Sequence, residues 1–302
     1  MTLNKILVIC GATASGKSGL AVECAKIMNS EIISADSQLV YKGLDVGTAK
    51  PTEKEMQGIK HHMIDVVEPV CGYSVSEYAQ AATPIADRLL SENKTPIICG
   101  GTGFYINSVL FDLSYGQVAA DAEVRKKYEE ILNTRGKEYL FELLKSTDKE
   151  TAEKLHYNDV KRVVRALEIY EVSGRRKSQI IDSYKPKYNY VAVAVDYPRE
   201  ELYERINLRV DEMLKNGLVE EVKGLLKNGI DEKFQCMQAI GYKEVLQCLR
   251  NGDKESTMRD IIKQNTRHYA KRQITFFKKL PKIIWLEPSR ATAEKVTGLL
   301  YE

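Results

Sequence analysis

One segment, Gly11-Ala12-Thr13-Ala14-Ser15-Gly16-Lys17-Ser18, constrains this chain more than any other. It fits the spacing G-x-x-x-x-G-K-[ST], and its flanks give that spacing meaning. Ile6-Leu7-Val8-Ile9-Cys10 before it is a short apolar run rich in β-branched residues, as a buried parallel strand requires. Residues 20–28 after it have helical character and contain no breaker. Strand, glycine-rich turn and helix together make a phosphate cradle, because converging backbone amides and the positive end of the helix face the same oxygens. Lys17 supplies a mobile cation, and the Ser18 hydroxyl is the expected Mg²⁺ ligand. The segment specifies a polyphosphate, without specifying which one or what is done to it.

The strand–helix rhythm continues beyond this loop. Residues 31–34, 63–67 and 95–99 read as strands, and 76–92 as a helix with apolar positions at helical intervals. Such alternation predicts a parallel, doubly wound sheet. From Asp121 to about Lys177 the chain is charged, strand-poor and helical in pattern, with Val163, Val164, Leu167 and Tyr170 on one expected face. Pro186 then breaks the chain, 190–195 and 283–286 read as strands again, and helices are expected over about 199–228 and 255–279. The expected architecture is α/β: a P-loop NTPase-like parallel sheet flanked by helices, built from 1–112 and 188–302. An all-helical domain is inserted into it over 113–187.

Composition excludes little but bounds the chemistry. With 302 residues, 43% of them hydrophobic, and a formal net charge of +3, the chain has the balance of an ordinary globular enzyme, and its net charge names no partner. The six cysteines form no C-x-x-C pair and only four histidines are present, so no zinc site is expected and the thiols read as small buried apolar groups. No signal peptide or membrane-length apolar run is read, which makes cytoplasm the expected compartment.

Open α/β sheets carry their chemistry at strand carboxyl ends. Three such ends coincide here: the phosphate loop, Asp36-Ser37, and Gly100-Gly101-Thr102-Gly103. Asp36 reads as a general base, a Mg²⁺ ligand or a helix cap. Thr102 reads as a hydroxyl that orients a substrate group, or as part of a tight turn. Lys50 reads as a phosphate contact or a solvated charge. The adjacent His61 and His62 point to opposite faces of a strand, which argues against a shared metal. Arg162 and Arg165, with Lys161 beside them, make either a forked clamp for a diphosphate or a solvated basic face. Arg259, Lys263, Arg267 and Lys271 recur every four residues, followed by Arg272, Lys278 and Lys279. That contiguous stripe suits an RNA backbone, or is simply an exposed helix face.

Taken together, the ordered segments resemble the tRNA dimethylallyltransferase (tRNA isopentenyltransferase) family in its bacterial form. The resemblance spans nearly the whole chain. It is carried by the phosphate loop, by Ile33-Ser34-Ala35-Asp36-Ser37-Gln38-Leu39-Val40-Tyr41, by G-L-D-V-G-T-A-K-P at 43–51, and by His61-His62-Met63-Ile64-Asp65. It continues through Gly100-Gly101-Thr102-Gly103-Phe104-Tyr105, N-D-V-K-R-V-V-R-A-L-E at 158–168, Gln238-Ala239-Ile240-Gly241-Tyr242-Lys243-Glu244, and T-R-H-Y-A-K-R-Q at 266–273. Departures are Ala12 where the family often has Pro, Ser18 in place of Thr, Leu39 where Gln is frequent, and Phe276 where Trp is common.

The resemblance implies transfer of a dimethylallyl group from dimethylallyl diphosphate to N6 of the adenosine just 3′ of a tRNA anticodon. It implies Asp36 as base, Thr102 as a residue holding the reacting groups, and a diphosphate gripped by the phosphate loop with Arg162 or Arg165 and Mg²⁺ on Ser18. The tRNA anticodon stem-loop is then expected to meet Asp36, Ser37, Gln38, Leu39, Thr102, Lys161, Gln238, Gly241, Tyr242, Lys243, Lys263, Arg267, Lys271 and Arg272. A monomer is expected, with no membrane and no obligate protein partner. The competing readings are an ATP-binding kinase or NTPase, a non-catalytic RNA-binding protein, and an enzyme that prenylates free adenine nucleotides.

Overall fold

The computed structural model describes residues 5–113, 118, 120–180 and 183–302. β1 (Lys5–Cys10) leads into α1 (Lys17–Met28), followed by β2 (Ile32–Ser34), α2 (Glu53–Met56), β3 (His61–His62), α3 (Val75–Ser91), β4 (Ile97–Gly100) and α4 (Gly103–Leu110). Three helices come next: α5 (Ala122–Thr147), α6 (Lys149–Glu153) and α7 (Val160–Ser173). The chain then returns to β5 (Asn189–Val195), α8 (Arg199–Lys215), α9 (Leu218–Lys227), α10 (Tyr242–Asn251), α11 (Glu255–Phe277), β6 (Ile283–Leu286) and α12 (Ala293–Gly298). Two compact units result: Met1–Leu110 with Pro186–Glu302, and Phe111–Lys185.

In the first unit six strands form one sheet in the order β3-β2-β4-β1-β5-β6, and every pairing is parallel. β1 lies inside it, with Val8 paired to Ile98 on one side and Ala192 on the other. A central strand covered on both faces has no solvent side, so its sequence runs apolar without alternation. Ile6, Leu7, Val8, Ile9 and Cys10 are accordingly all fully buried. Leu7 and Ile9 pack with Ala21, Val22 and Ala25 of α1 and with Val296 and Leu300 near the end of the chain. Each aliphatic side chain so buried contributes about 1.5–3 kcal/mol.

The structure corrects the expected third strand. Extended pairing occurs at His61–His62, where Ile32 and Ile33 are the partners, and not over 63–67. Met63 and Asp65 take positive φ values of 64° and 55°, which no ladder accommodates, and Val67 makes only an isolated bridge to Tyr41. The helix expected over 199–228 is two helices, parted at Gly217, and α10 was not anticipated. Of the six thiols, Cys71 is exposed and the others are buried.

The second unit has its own core, in which Tyr128, Leu140 and Leu144 of α5 meet Val163, Ala166 and Leu167 of α7. Tyr170 is exposed; Ile169 joins the buried residues of α7 instead. The Glu168 carboxylate, with no exposed surface, gathers Arg125 at 2.8 Å, Arg165 at 2.6 Å and the Asp121 N–H at 2.8 Å.

Candidate active site

A cavity of about 340 Å³ opens in the first unit at the carboxyl ends of β1, β2 and β4. These strands are neighbours in the sheet, so the loops leaving them meet without any further device. The phosphate loop forms one wall. Gly16, at φ 78°, caps α1 with no side chain of its own, and Ala14 before it is also left-handed at φ 60°. The first-turn amides of α1 therefore have no side-chain acceptor and remain available to an anion. Lys17 Nζ donates to the Ala12 carbonyl at 3.1 Å, and burial pushes its ammonium below the ordinary lysine range. Ser18 presents an exposed hydroxyl on the cavity, while the Ser15 hydroxyl is buried with no partner.

The second wall joins β2 to β4. A Cβ on Gly100 would lie 2.1 Å from the Ala35 carbonyl, so the two tips approach this closely only because position 100 is glycine. The Thr102 N–H donates to that same carbonyl at 3.0 Å, and the Thr102 hydroxyl accepts the Ser37 N–H at 3.0 Å. Asp36 sits between these contacts on the cavity wall, and its Oδ1 accepts the Gln38 N–H at 2.9 Å. Thr102 thus shapes the site through Ser37.

α8 and α11 close the cavity and bring residues that sequence reasoning missed. Arg209 of α8 lines the cavity, donates to the Thr48 carbonyl at 3.2 Å, and keeps its Nε buried without a partner. Burial pushes its guanidinium down, and the charge of Asp36 opposes that shift. A signal was present in the pattern: position 209 adjoins the face of α8 buried through Leu202, Ile206 and Val210. Arg205, one turn earlier, donates from Nε to the Ala14 carbonyl at 2.8 Å and supports the phosphate loop. From α11, Tyr269 and the buried Gln273 face the cavity. Burial raises the Tyr269 phenol to about 12, with Asp36 adding to the shift and hydrogen bonds to Thr102 and Gln273 opposing it.

Gln38, Leu39, Gln238, Lys243 and Arg272 line the same cavity, as do Ser37, Thr13 and Lys17. Tyr242 does not serve as an RNA contact: it is 0% exposed, and its hydroxyl donates to Glu221 Oε1 at 2.5 Å. Gly241 is buried beside it, with its N–H on Glu244 at 2.7 Å. The basic stripe of α11 is divided. Arg259 and Lys263 face Asp211 of α8, and Arg267 donates to Asn207 at 2.7 Å, whereas Lys271 and Arg272 are exposed. Lys50 is engaged by Asp45 and Asp65, so it is neither a phosphate contact nor solvated. His61 contacts the Ile59 carbonyl and also lines the cavity, whereas His62 contacts Glu31. In the second unit, Lys161 and Arg162 are exposed on α7, while Arg165 is held by Glu168 and by the Val118 carbonyl. Arg165 is therefore committed to the core of its own unit and is not a free arm of a clamp.

The chain matches the family model described as IPP transferase over residues 39–280 and that described as isopentenyl transferase over residues 4–72. It is 45% identical over 287 residues to the tRNA dimethylallyltransferase of Acetivibrio thermocellus, covering 94% of this chain and 92% of that one. Identity to the tRNA dimethylallyltransferase of Clostridioides difficile is 42% over 284 residues, covering 93% and 91%. Among solved structures, the tRNA isopentenylpyrophosphate transferase of Bacillus halodurans superposes with a TM-score of 0.73 at 36% identity, covering 99% of this chain and 95% of that one. A eukaryotic dimethylallyltransferase described as acting on tRNA gives a TM-score of 0.79 at 30% identity, covering 96% and 74%.

Proposed function

This chain belongs to the tRNA dimethylallyltransferase family, and from that premise we propose how its cavity carries the reaction. It transfers a dimethylallyl group from dimethylallyl diphosphate to N6 of the adenosine 3′-adjacent to the anticodon of tRNA, releasing diphosphate. One observation carries the assignment of roles: the phosphate loop, Arg209 and Asp36 line a single cavity.

The N6 amine is a weak nucleophile, because its lone pair is delocalised into the purine. It attacks C1 of the dimethylallyl group, the C1–O bond breaks with its electron pair leaving on diphosphate, and the N6 proton passes to Asp36. Charge accumulates on the departing diphosphate as that bond lengthens. The loop amides at 11–18, Lys17 and Arg209 meet that charge, in a site already arranged for it. The loop therefore grips a leaving group and not a phosphoryl in transit.

Mg²⁺ suits the Ser18 side of this cavity. Among the described residues no cluster of three His, Cys, Asp or Glu side chains could hold a metal, so the Ser18 hydroxyl would be the protein's contribution to a Mg²⁺ that arrives with the diphosphate. When bound, it neutralises diphosphate charge. The adenine must leave its stack to reach C1, so a flipped base is expected beside Asp36 and Ser37. Lys271 and Arg272 on α11 are exposed, and so, in the second unit, are Lys161 and Arg162 on α7; each can meet a tRNA phosphate. Among the described residues no helix is long and apolar enough to cross a membrane. We place the activity in the cytoplasm and take the acting form to be the monomer.

The test incubates the purified chain with radiolabelled dimethylallyl diphosphate, Mg²⁺ and unmodified tRNA. Label in the RNA, at the adenosine next to the anticodon, is expected. Label that stays in the diphosphate ester, with ATP hydrolysed in a parallel incubation, would contradict the reading.

A further inference from the structure

Position 273 holds the two halves of the site together. The Gln273 side chain is 5% exposed and uses both ends of its amide across the cavity. Its Oε1 accepts the Thr13 N–H at 2.9 Å, inside the phosphate loop. Its Nε2 donates to the Gly101 carbonyl at 3.0 Å, one residue before Thr102. Thr102 in turn accepts the Ser37 N–H, next to Asp36. One rigid amide thus spans from the loop that grips the leaving group to the loop that carries the base. A Cβ at Gly101 would fall 2.2 Å from Nε2, so position 101 is kept bare to admit this amide. Tyr269, one turn earlier on α11, lines the same cavity.

The geometry points to Gln273 as a positioning residue that sets the register between the departing diphosphate and the accepting carboxylate. Nothing in its environment makes it a reacting group, since both amide ends are already engaged by backbone. The dimethylallyl carbon, the incoming nitrogen and Asp36 react only when aligned, and a displacement of about 1 Å costs on the order of 100-fold in rate. Binding of either substrate alone does not require that alignment. Loss of the bridge therefore lowers kcat and leaves the separate binding steps close to normal. The inference rests on the transfer reaction assigned above.

The experiment compares wild type, Gln273→Leu and Gly101→Ala in single-turnover and steady-state transfer assays. Gln273→Leu keeps the volume and removes both hydrogen bonds. Gly101→Ala keeps the glutamine but displaces its flexible end, so it probes the bridge without emptying a buried site. Both variants are expected to lose kcat by roughly 10- to 100-fold, with KM for dimethylallyl diphosphate and Kd for tRNA changed by less than about threefold. Should Gln273→Leu fail to fold, the Gly101→Ala result decides alone. Unchanged kcat in Gly101→Ala, or a rise in KM with kcat retained, overturns the inference. Absence of transfer by wild type in the same assay would instead remove the underlying reaction.

Discussion

The Arg165 guanidinium meets the fully buried Glu168 carboxylate at 2.6 Å, one turn along α7. Burial alone would raise the Glu168 carboxyl, yet the hydrogen bonds from Arg165, the Asp121 N–H and Arg125 hold it below the usual range. This contact explains an arginine that resembles a phosphate ligand in sequence. Arg165→Ala is expected to destabilise the helical unit by about 1–3 kcal/mol, because Glu168 keeps only part of its compensation. Arg162→Ala, at a side chain 69% exposed, is expected to leave the melting temperature unchanged. Thermal denaturation of both variants checks this; equal melting temperatures for Arg165→Ala and wild type would contradict it.

Arg209 presents a buried, unpartnered Nε on the same cavity as the phosphate loop. Arg209→Gln is expected to lower kcat by roughly 10²- to 10³-fold, the usual cost of removing one preorganised donor to developing negative charge. Arg209→Lys restores little of this, since a point charge lacks the planar fork. Calorimetric titration with inorganic diphosphate should give weaker binding for both variants. Wild-type affinity and turnover in Arg209→Gln would contradict the assignment.

Lys17 supplies a pH signature. Burial lowers its pKa from 10.5 in the folded chain, so it loses its proton at a lower pH there than when unfolded. Diphosphate affinity, which needs the ammonium, is expected to fall with rising pH before the ordinary lysine range is reached. Ligand-free stability moves oppositely: between the lowered folded pKa and 10.5 the unfolded chain binds more protons, so this group's contribution rises with pH. Lys17→Met removes both dependences. Titrations with diphosphate and denaturant melts across alkaline pH measure them, and an affinity that stays flat up to the ordinary range would contradict the account.

How much of this was legible in sequence follows from what each residue depends on. The sheet and its phosphate loop depend on local pattern: an uninterrupted apolar run at 6–10, then glycines at set spacing. Asp36 and Thr102 were legible because they follow strand ends, and adjacent parallel strands bring their tips together. Arg209 and Gln273 were not read as site residues, because they reach the site only when α8 and α11 pack over it; Gln273 contacts a backbone 260 residues away. Lys263 reads as a free cation until Asp211 of α8 is placed against it. Tyr242 reads as a contact residue because a segment's resemblance reports identity and not burial. The run at 63–67 reads as a strand because four of its five side chains are apolar, but the left-handed backbone at Met63 and Asp65 is set by the turn and not by hydropathy.

The central claim is that a carboxylate at the tip of β2 takes the N6 proton while the phosphate loop receives the leaving group. Asp36→Asn keeps the shape of that side chain and removes its basicity. Single-turnover transfer of labelled dimethylallyl to tRNA by Asp36→Asn, with saturating substrates, tests the claim most directly. The account predicts a loss of roughly 10²- to 10⁴-fold in rate, with binding of diphosphate and tRNA within a few-fold of wild type. Transfer at a near wild-type rate would contradict it.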